Sequence, residues 1–302
     1  MKNLGKKALI GAIAGVFATG AGFCAVPGAA FPAPAFVRHA EAASGLQWEN
    51  GVVTAEGFGV PPAGAYGTRA GILARRAAIV DAQRNLAEYI NGAQVDAETT
   101  VINFVTTSDV VKSRVSGLIK GAVIVEEQTA PDGSYRVVMS VPMYGTQGLS
   151  SAILPALREN TPPAPPPPVI SATITAEIRA QVQTRGTGYT GVIVDASGMG
   201  LKPSFSPVIY DTSGRAIYGV SNINYDQAIE RGMVGYASSL SSAQTLPRIG
   251  GSPIVVRAVQ VRGGNNSTNP VNVVVSVDDG DRILAANAQS QMLMNGSVVF
   301  VR

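Results

Sequence analysis

A proline run near the middle of the chain is the feature that most constrains its fold. Residues 160–168 read NTPPAPPPP. Proline lacks a backbone N–H and favours the polyproline II conformation, so this run is excluded from helix interiors and from central strands. Such a stretch acts as a semi-rigid spacer. We therefore expect residues 159–169 to link two domains, at 45–158 and 170–302, and to hold the second domain at a distance from the first.

The N-terminus has the layout of a secretory signal peptide. Three lysines within the first seven residues form a basic start, and residues 8–26 follow without a single charge. A basic start, an apolar stretch and a cleavage site after small residues are the marks of an exported chain. We therefore predict an exported protein, located in the periplasm or associated with the outer membrane.

Two small-x-small sequences offer a site for signal cleavage. Residues 28–30 read GAA and residues 40–42 read AEA. We favour the second site, which assigns residues 1–42 to the signal peptide. An uncleaved membrane anchor and a lipid on Cys24 are the two alternatives, and the second is disfavoured because the bulky Phe23 stands before the cysteine.

Removal of this segment changes both the charge and the chemistry of the chain. The full sequence has 23 Lys and Arg and 20 Asp and Glu, and removal of residues 1–42 leaves 19 of each. A neutral chain has no electrostatic basis for binding nucleic acid. Cys24 and His39 are the only residues of their types and leave with the signal. We therefore expect no Cys or His nucleophile, no zinc site and no disulfide, and we predict a non-enzyme without metal or cofactor.

The first domain shows the order β-α-β-α-β-β-α. Its strongest helix is Thr68–Ile90, in which Ile72, Ile79 and Leu86 recur every seven residues and predict the buried face. Ser108 caps a second predicted helix. The remaining predicted elements are strands at 51–57 and 99–105, the second helix at 109–119, a hairpin of 122–127 and 135–141, and a closing helix at 146–157.

The second domain is dominated by strands. The predicted fold class is α+β, with a small α/β sandwich domain followed by a second, β-rich α+β domain. The pattern predicts helices at 225–233 and 278–287, and the C-terminal strand is expected to pair into the sheet. Strands are predicted at 190–195, 207–210, 216–218, 253–261, 270–277 and 297–301.

Three segments of the first domain resemble a known family. They are LARRAAIVDAQRNLAEYINGAQVD (Leu73–Asp96), SDVVKSRVSGLIKGAVIVEE (Ser108–Glu127) and DGSYRVVMSVPMYG (Asp132–Gly145). They are similar to the core of the envelope lipoprotein family first described from Helicobacter. That family shares its domain with the N-terminal part of flagellar assembly protein T and with the outer-membrane-associated flagellar protein P. The resemblance implies a domain without catalytic residues, used in envelope assemblies such as rings around the flagellar motor.

This chain departs from the lipoprotein members because it lacks a good lipid-attachment cysteine. The second domain, with YTGVIVDASGMGLKPSFSPVIYD (Tyr189–Asp211), is similar to the C-terminal half of uncharacterised envelope proteins.

Three motifs have a chemical interpretation that we weigh against a structural one. Residues 186–191 fit GxGxxG, but a dinucleotide site needs a strand before the motif and a helix after it, and here a predicted strand follows. Asp278, Asp279 and Asp281 resemble part of a calcium loop but lack its distal positions, and they also suit a helix N-terminus. Asp195 and Asp211, considered as a catalytic pair, each stand at a turn that favours Asp.

We therefore expect a structural or assembly protein of the cell envelope that acts through protein–protein contacts, by self-association or with envelope partners, with the flagellar basal body as the narrower assignment. The alternative is a peptidoglycan- or glycan-binding module with tyrosine platforms at 189, 210, 218 and 225. A carboxylate-only hydrolase is a third hypothesis, without a motif behind it. The expected contact surfaces are the first helix and the edge of the hairpin, with Arg75, Arg76, Arg84, Glu88 and Tyr135 as their residues.

Overall fold

The computed structural model describes residues 44–159 and 170–302, and these belong to one compact unit. The predicted signal peptide, with its cleavage sites, Cys24 and His39, lies outside the described residues, and so does nearly all of the predicted linker. In the described part of the chain, no helix combines the length and the apolar character that a membrane span requires.

An antiparallel sheet of four strands with helices against it forms the first part of the chain. The strand order is β1-β2-β4-β3, and α1 packs on β2 and β4. The elements are β1 Gly45–Gln47, β2 Val52–Gly59, α1 Gly67–Asn91, α2 Val101–Thr107, α3 Asp109–Lys120, β3 Val123–Thr129, β4 Tyr135–Pro142 and α4 Leu149–Glu159.

Most of the predicted elements of this part are present, and one has the wrong type. The long helix, the helix capped by Ser108 and the hairpin are confirmed, and Ser108 accepts a hydrogen bond from the backbone N–H of Val111. Residues 99–105 were expected to form a strand but contain the start of α2. Thr100 and Asn103 form a capping box there, which stabilises a helix start in spite of the β-branched residues that follow.

The buried face of α1 differs from the predicted one. Of the predicted residues, Leu86 is buried as expected, but Ile72 is 55% exposed, and Val80 next to the predicted stripe is 60% exposed. The residues that face the core lie four apart, and three of them are small: Ala74, Ala78, Ala82, Leu86 and Ile90.

Two glycines of β2 explain this choice of face. A Cβ added to Gly57 would lie 2.7 Å from the Cα of Ala82, and one added to Gly59 would lie 2.6 Å from the backbone N of Ala78. Helix and strand therefore approach so closely that only small residues fit between them. The bulky isoleucine and valine are left on the outside.

Two more sheets form the second part of the chain. One has the order β8-β12-β5-β9 and is parallel throughout, and the other has the order β10-β11-β6-β7 and is mixed. The elements are α5 Ala172–Arg185, β5 Gly191–Asp195, β6 Ile209–Asp211, β7 Ala216–Tyr218, α6 Tyr225–Arg231, β8 Gly235–Ala237, α7 Leu240–Thr245, a 3-10 turn at Pro247–Ile249, β9 Pro253–Arg257, β10 Gln260–Arg262, β11 Asn272–Val275, α8 Val277–Ser290 and β12 Val298–Val301.

The predicted α+β class is confirmed. Three of the four central strands of these sheets, β5, β11 and β12, are rich in Val and buried on both faces, as parallel strands covered on both sides are. The C-terminal strand β12 pairs with two neighbours, as expected. The pattern missed α5, β8 and α7, and the run predicted as one strand at 253–261 is divided into β9 and β10.

The two parts of the chain share one hydrophobic core. The ring of Trp48 lies 4.9 Å from that of Phe205, and two backbone N–H groups of the second part, on Phe205 and Ser206, donate to the carbonyls of Gln94 and Val95 at 3.1 and 2.7 Å. The expectation that the second domain is held at a distance is therefore wrong for the described residues. The division at 45–158 and 170–302 stays a prediction.

Candidate interaction surface and ligand pocket

The outer face of α1 gathers three of the five predicted contact residues. Arg76, Arg84 and Glu88 are exposed, and Ile72 and Val80 are exposed between them. These five residues are spaced four apart and start two residues before the buried stripe, which places them on the opposite side of a helix with 3.6 residues per turn. The name "outer face of α1" refers below to these five residues.

Arg75 and Tyr135, the other two predicted residues, are brought together by a third residue that the sequence did not single out. Arg75 Nε donates a hydrogen bond to Glu127 Oε2 at 2.8 Å, and the hydroxyl of Tyr135 donates to the same oxygen at 2.8 Å. These two hydrogen bonds lower the pKa of Glu127. The cluster is exposed and ties α1 to the hairpin, so Arg75 and Tyr135 are engaged within the chain.

Strand β3 forms an open edge beside this cluster. It is outermost in its sheet, and among the described strands it pairs with β4 alone. Val123 and Val125 are 64% and 56% exposed on it. An edge strand offers unpaired N–H and C=O groups to another strand, although the bulge between Ile124 and Glu126 interrupts its regularity.

The four tyrosines of the glycan-binding alternative do not form a row of open platforms. Tyr189 and Tyr218 are buried, and their hydroxyls donate to Gln181 and to the carbonyl of Met233 at 2.6 and 2.7 Å. The guanidinium of Arg262 covers Tyr210 at 4.6 Å, and that of Arg158 covers Tyr225 at 5.3 Å. The platform prediction is therefore wrong.

The predicted glycine motif is a loop between a helix and a strand. Helix α5 ends at Arg185, and β5 begins at Gly191, the last residue of the motif. This order is the reverse of the strand, motif and helix that a dinucleotide site requires.

The aspartates singled out in the sequence occupy structural positions. Asp195 accepts a hydrogen bond from the backbone N–H of Ser197, within a turn. Ser276 caps α8, and its hydroxyl donates to Asp279 at 2.8 Å. In residues 44–159 and 170–302, no three His, Cys, Asp or Glu are grouped to hold a metal ion.

Asp211 and Asp281 enclose one arginine. Arg215 Nε donates to Asp211 at 2.8 Å, and Arg215 Nη2 donates to Asp281 at 2.5 Å. The side chain of Asp211 is fully buried and that of Asp281 is 8% exposed. Burial acts to raise the pKa of Asp211, but hydrogen bonds from Ser213 and Arg215 outweigh it and the pKa is lowered. The cluster is a closed salt bridge inside the second part.

A pocket that the sequence did not predict lies where the two parts meet. It has a volume of about 400 Å³. Three of its walls are aromatic, from Trp48, Tyr144 and Tyr236, and two arginines, Arg231 and Arg248, line it as well. The rings of Trp48 and Tyr236 lie 5.6 Å apart at a steep angle, so the aromatic wall is continuous. The one available signal was that Trp48 is the only tryptophan of the chain.

The two arginines of the pocket have no acidic partner in residues 44–159 and 170–302. Neither guanidinium has a carboxylate oxygen within 4.0 Å among the described residues. Arg248 Nη2 donates to the carbonyls of Arg231 and Gly232, at 2.5 and 2.9 Å, where α6 ends. The Nε of Arg231 is buried and has no hydrogen-bond partner in the part of the chain that the structure describes. Burial lowers the pKa of Arg248, and the charge of Arg231 acts in the same direction.

Comparison with known protein families gives a match in the second part. Residues 191–302, from β5 to the C-terminus, match the family model described as the second domain of Treponema pallidum Tp0624. No curated protein matches the chain. The match covers less than half of the chain and includes Arg215, Arg231 and Arg248. The second part is thus similar to a bacterial domain of uncertain function, and the resemblance of the first part to the Helicobacter-type and flagellar proteins stays a prediction.

Proposed function

We propose that this chain is a non-catalytic, exported protein of the bacterial cell envelope that acts through protein–protein contacts. The observation that carries the proposal is the outer face of α1, which exposes Ile72 and Val80 beside charges of both signs. A helix that packs on the sheet through alanines leaves its larger apolar side chains free for a partner. A patch with an apolar centre and a polar rim is typical of protein interfaces.

The open edge of β3 adds a second contact region. Val123 and Val125 stand on it, and Glu127 connects it to α1 through Arg75. Together the edge and the outer face of α1 would offer a partner both backbone hydrogen bonds and apolar contacts.

The envelope location rests on the sequence. It is supported by the N-terminal segment, in which a basic start precedes an uncharged stretch, and by the similarity of residues 191–302 to a bacterial domain. Association with the flagellar basal body is the narrower form of the proposal, and only the three segments that resemble the flagellar assembly proteins support it.

An association experiment tests the contact function. We expect the chain that begins at Ala43 to self-associate or to retain an envelope protein, measured by light scattering after gel filtration and by pull-down from an envelope extract. The double variant Ile72→Asp/Val80→Asp should weaken this association at least tenfold, or about 1.4 kcal/mol, because it places charges in an apolar contact.

A matched control separates the contact from general effects of charge. Val259 is 54% exposed in the second part of the chain, so Val259→Asp makes the same change at another exposed valine. It should leave association unchanged, and all variants should keep the unfolding midpoint of the parent. A strictly monomeric parent that retains no envelope protein would refute the proposal.

A further inference from the structure

We infer that the pocket between Trp48 and Arg248 binds a small ligand that carries a carboxylate. The inference is independent of the proposed contact surface on α1. It rests on the charge, the hydrogen-bond donors and the shape of the pocket, considered in turn below.

The positive charge of the pocket has no compensating acid among the described residues. Among the arginines with a described ion pair, the two whose side chains are least exposed each meet two acids: Arg136 pairs with Glu56 and Glu126, and Arg215 with two aspartates. Arg231 and Arg248 meet none in the described part of the chain. Because a desolvated charge is costly unless it is paired, an anion in the pocket would be stabilised.

The rim of the pocket limits how much negative charge it accepts. Glu49 and Glu230 also line it, and both are exposed to solvent rather than paired with an arginine. With two arginines inside and two glutamates at the rim, a single negative charge is accommodated better than the double charge of a phosphate group. This favours a carboxylate as the recognised group.

The hydrogen-bonding groups of the inner pocket are mostly donors. Arg248 uses Nη2 for two carbonyls, and no hydrogen bond engages the rest of its guanidinium among the described residues. The hydroxyl of Tyr144 has no hydrogen-bond partner there either, and burial raises the pKa of Tyr144 to about 12, so the hydroxyl is a neutral donor at pH 7. A carboxylate has two acceptor oxygens and no donor, which complements such a set.

The shape of the pocket indicates the rest of the ligand. Its volume of about 400 Å³ suits a molecule of one or two rings or residues. Trp48 and Tyr144 supply flat surfaces that pack on an apolar group or on a sugar ring. An acidic sugar and the C-terminal end of a short peptide both present a carboxylate next to such a body.

The only tryptophan of the chain makes the inference directly testable, because Trp48 lines the pocket and its emission reports on binding. The probes are N-acetylmuramic acid and N-acetyl-alanyl-alanine, and each is compared with its own carboxamide. We expect a saturable change of emission for at least one acid at micromolar to low millimolar concentration, and binding at least tenfold weaker for its amide, which corresponds to about 1.4 kcal/mol. The acid that binds identifies the source of the carboxylate.

Two variants complete the test, with calorimetric titration as a second readout. Arg248→Met should reduce the affinity for the acid at least tenfold, whereas Arg257→Met, at an arginine that is 72% exposed, should leave it unchanged. Both variants should give the parent's circular dichroism spectrum. The inference is overturned if neither acid binds, if the amides bind as tightly as the acids, or if folded Arg248→Met binds like the parent.

Discussion

Two arginines of the second part of the chain, Arg215 and Arg248, differ in what surrounds their charge. Arg215 lies between Asp211 and Asp281, at 2.8 and 2.5 Å. Arg248 lies in the pocket beside a second arginine, with backbone carbonyls as its only hydrogen-bond acceptors among the described residues. The first guanidinium is fully neutralised inside the fold. The second leaves a positive charge in a cavity that is open to a ligand.

This difference separates a role in stability from a role in binding. A buried salt bridge is costly to break because the remaining partners are left charged and desolvated. Removal of an arginine that has no acidic partner leaves no unpaired carboxylate behind. We therefore assign Arg215 to the stability of the fold and Arg248 to recognition, and the predictions below test this division.

The largest expected effect is the loss of stability caused by Arg215→Met. This change leaves Asp211 and Asp281 without their cation, and the free energy of unfolding should fall by about 3–5 kcal/mol. Urea unfolding at pH 7, followed by circular dichroism, measures the loss. The exposed Arg257→Met is the matched control and should lie within about 0.5 kcal/mol of the parent. A loss of stability for Arg215→Met as small as that of the control would contradict the assignment of Arg215 to the stability of the fold.

A smaller effect is expected in the pH dependence of stability. The folded-state pKa of Asp211 lies below its ordinary value of 3.8, so its ionised form stabilises the fold. This contribution is fully present above about pH 4 and is lost as the pH falls through the lower folded-state pKa. The parent should therefore be more stable than Asp211→Asn at pH 7, and the difference should shrink below about pH 4. A difference that stays constant down to about pH 2 would contradict the assignment.

The sequence predicted local features well because the interactions behind them are local. Ser108 as a helix cap and the hairpin around residues 131–134 depend on neighbours a few positions apart, and both are present. The start of α2 after Thr100 is equally local, but there the alternation of β-branched residues favours a strand whereas the capping pair of Thr100 and Asn103 favours a helix.

The buried face of α1 could have been read from the sequence in part. Ala74, Ala78 and Ala82 are spaced four apart, and Gly57 and Gly59 stand on the preceding strand. A ranking by hydrophobicity favours isoleucine over alanine for the core, and this ranking fails where helix and strand approach closely. The same close approach produces the candidate contact surface, because it leaves Ile72 and Val80 exposed.

The pocket and the arginine cluster could not be predicted because they depend on long-range contacts. Asp281 is 66 residues from Arg215. Trp48 comes from the first part of the chain and Arg248 from the second. The proline run even predicted that these two parts are held apart. Only the packed core, with Trp48 against Phe205 and Tyr236, brings them together.

The stability of Arg248→Met tests the division between the two arginines most directly. The measurement is the free energy of urea unfolding at pH 7, in the same series as the parent and Arg215→Met. We predict a loss of about 2 kcal/mol or less, well below that of Arg215→Met, because the two lost hydrogen bonds to carbonyls are offset in part by the removal of a buried charge that has no acid beside it. A loss as large as that of Arg215→Met would contradict the account, because Arg248 would then be part of what holds the fold together.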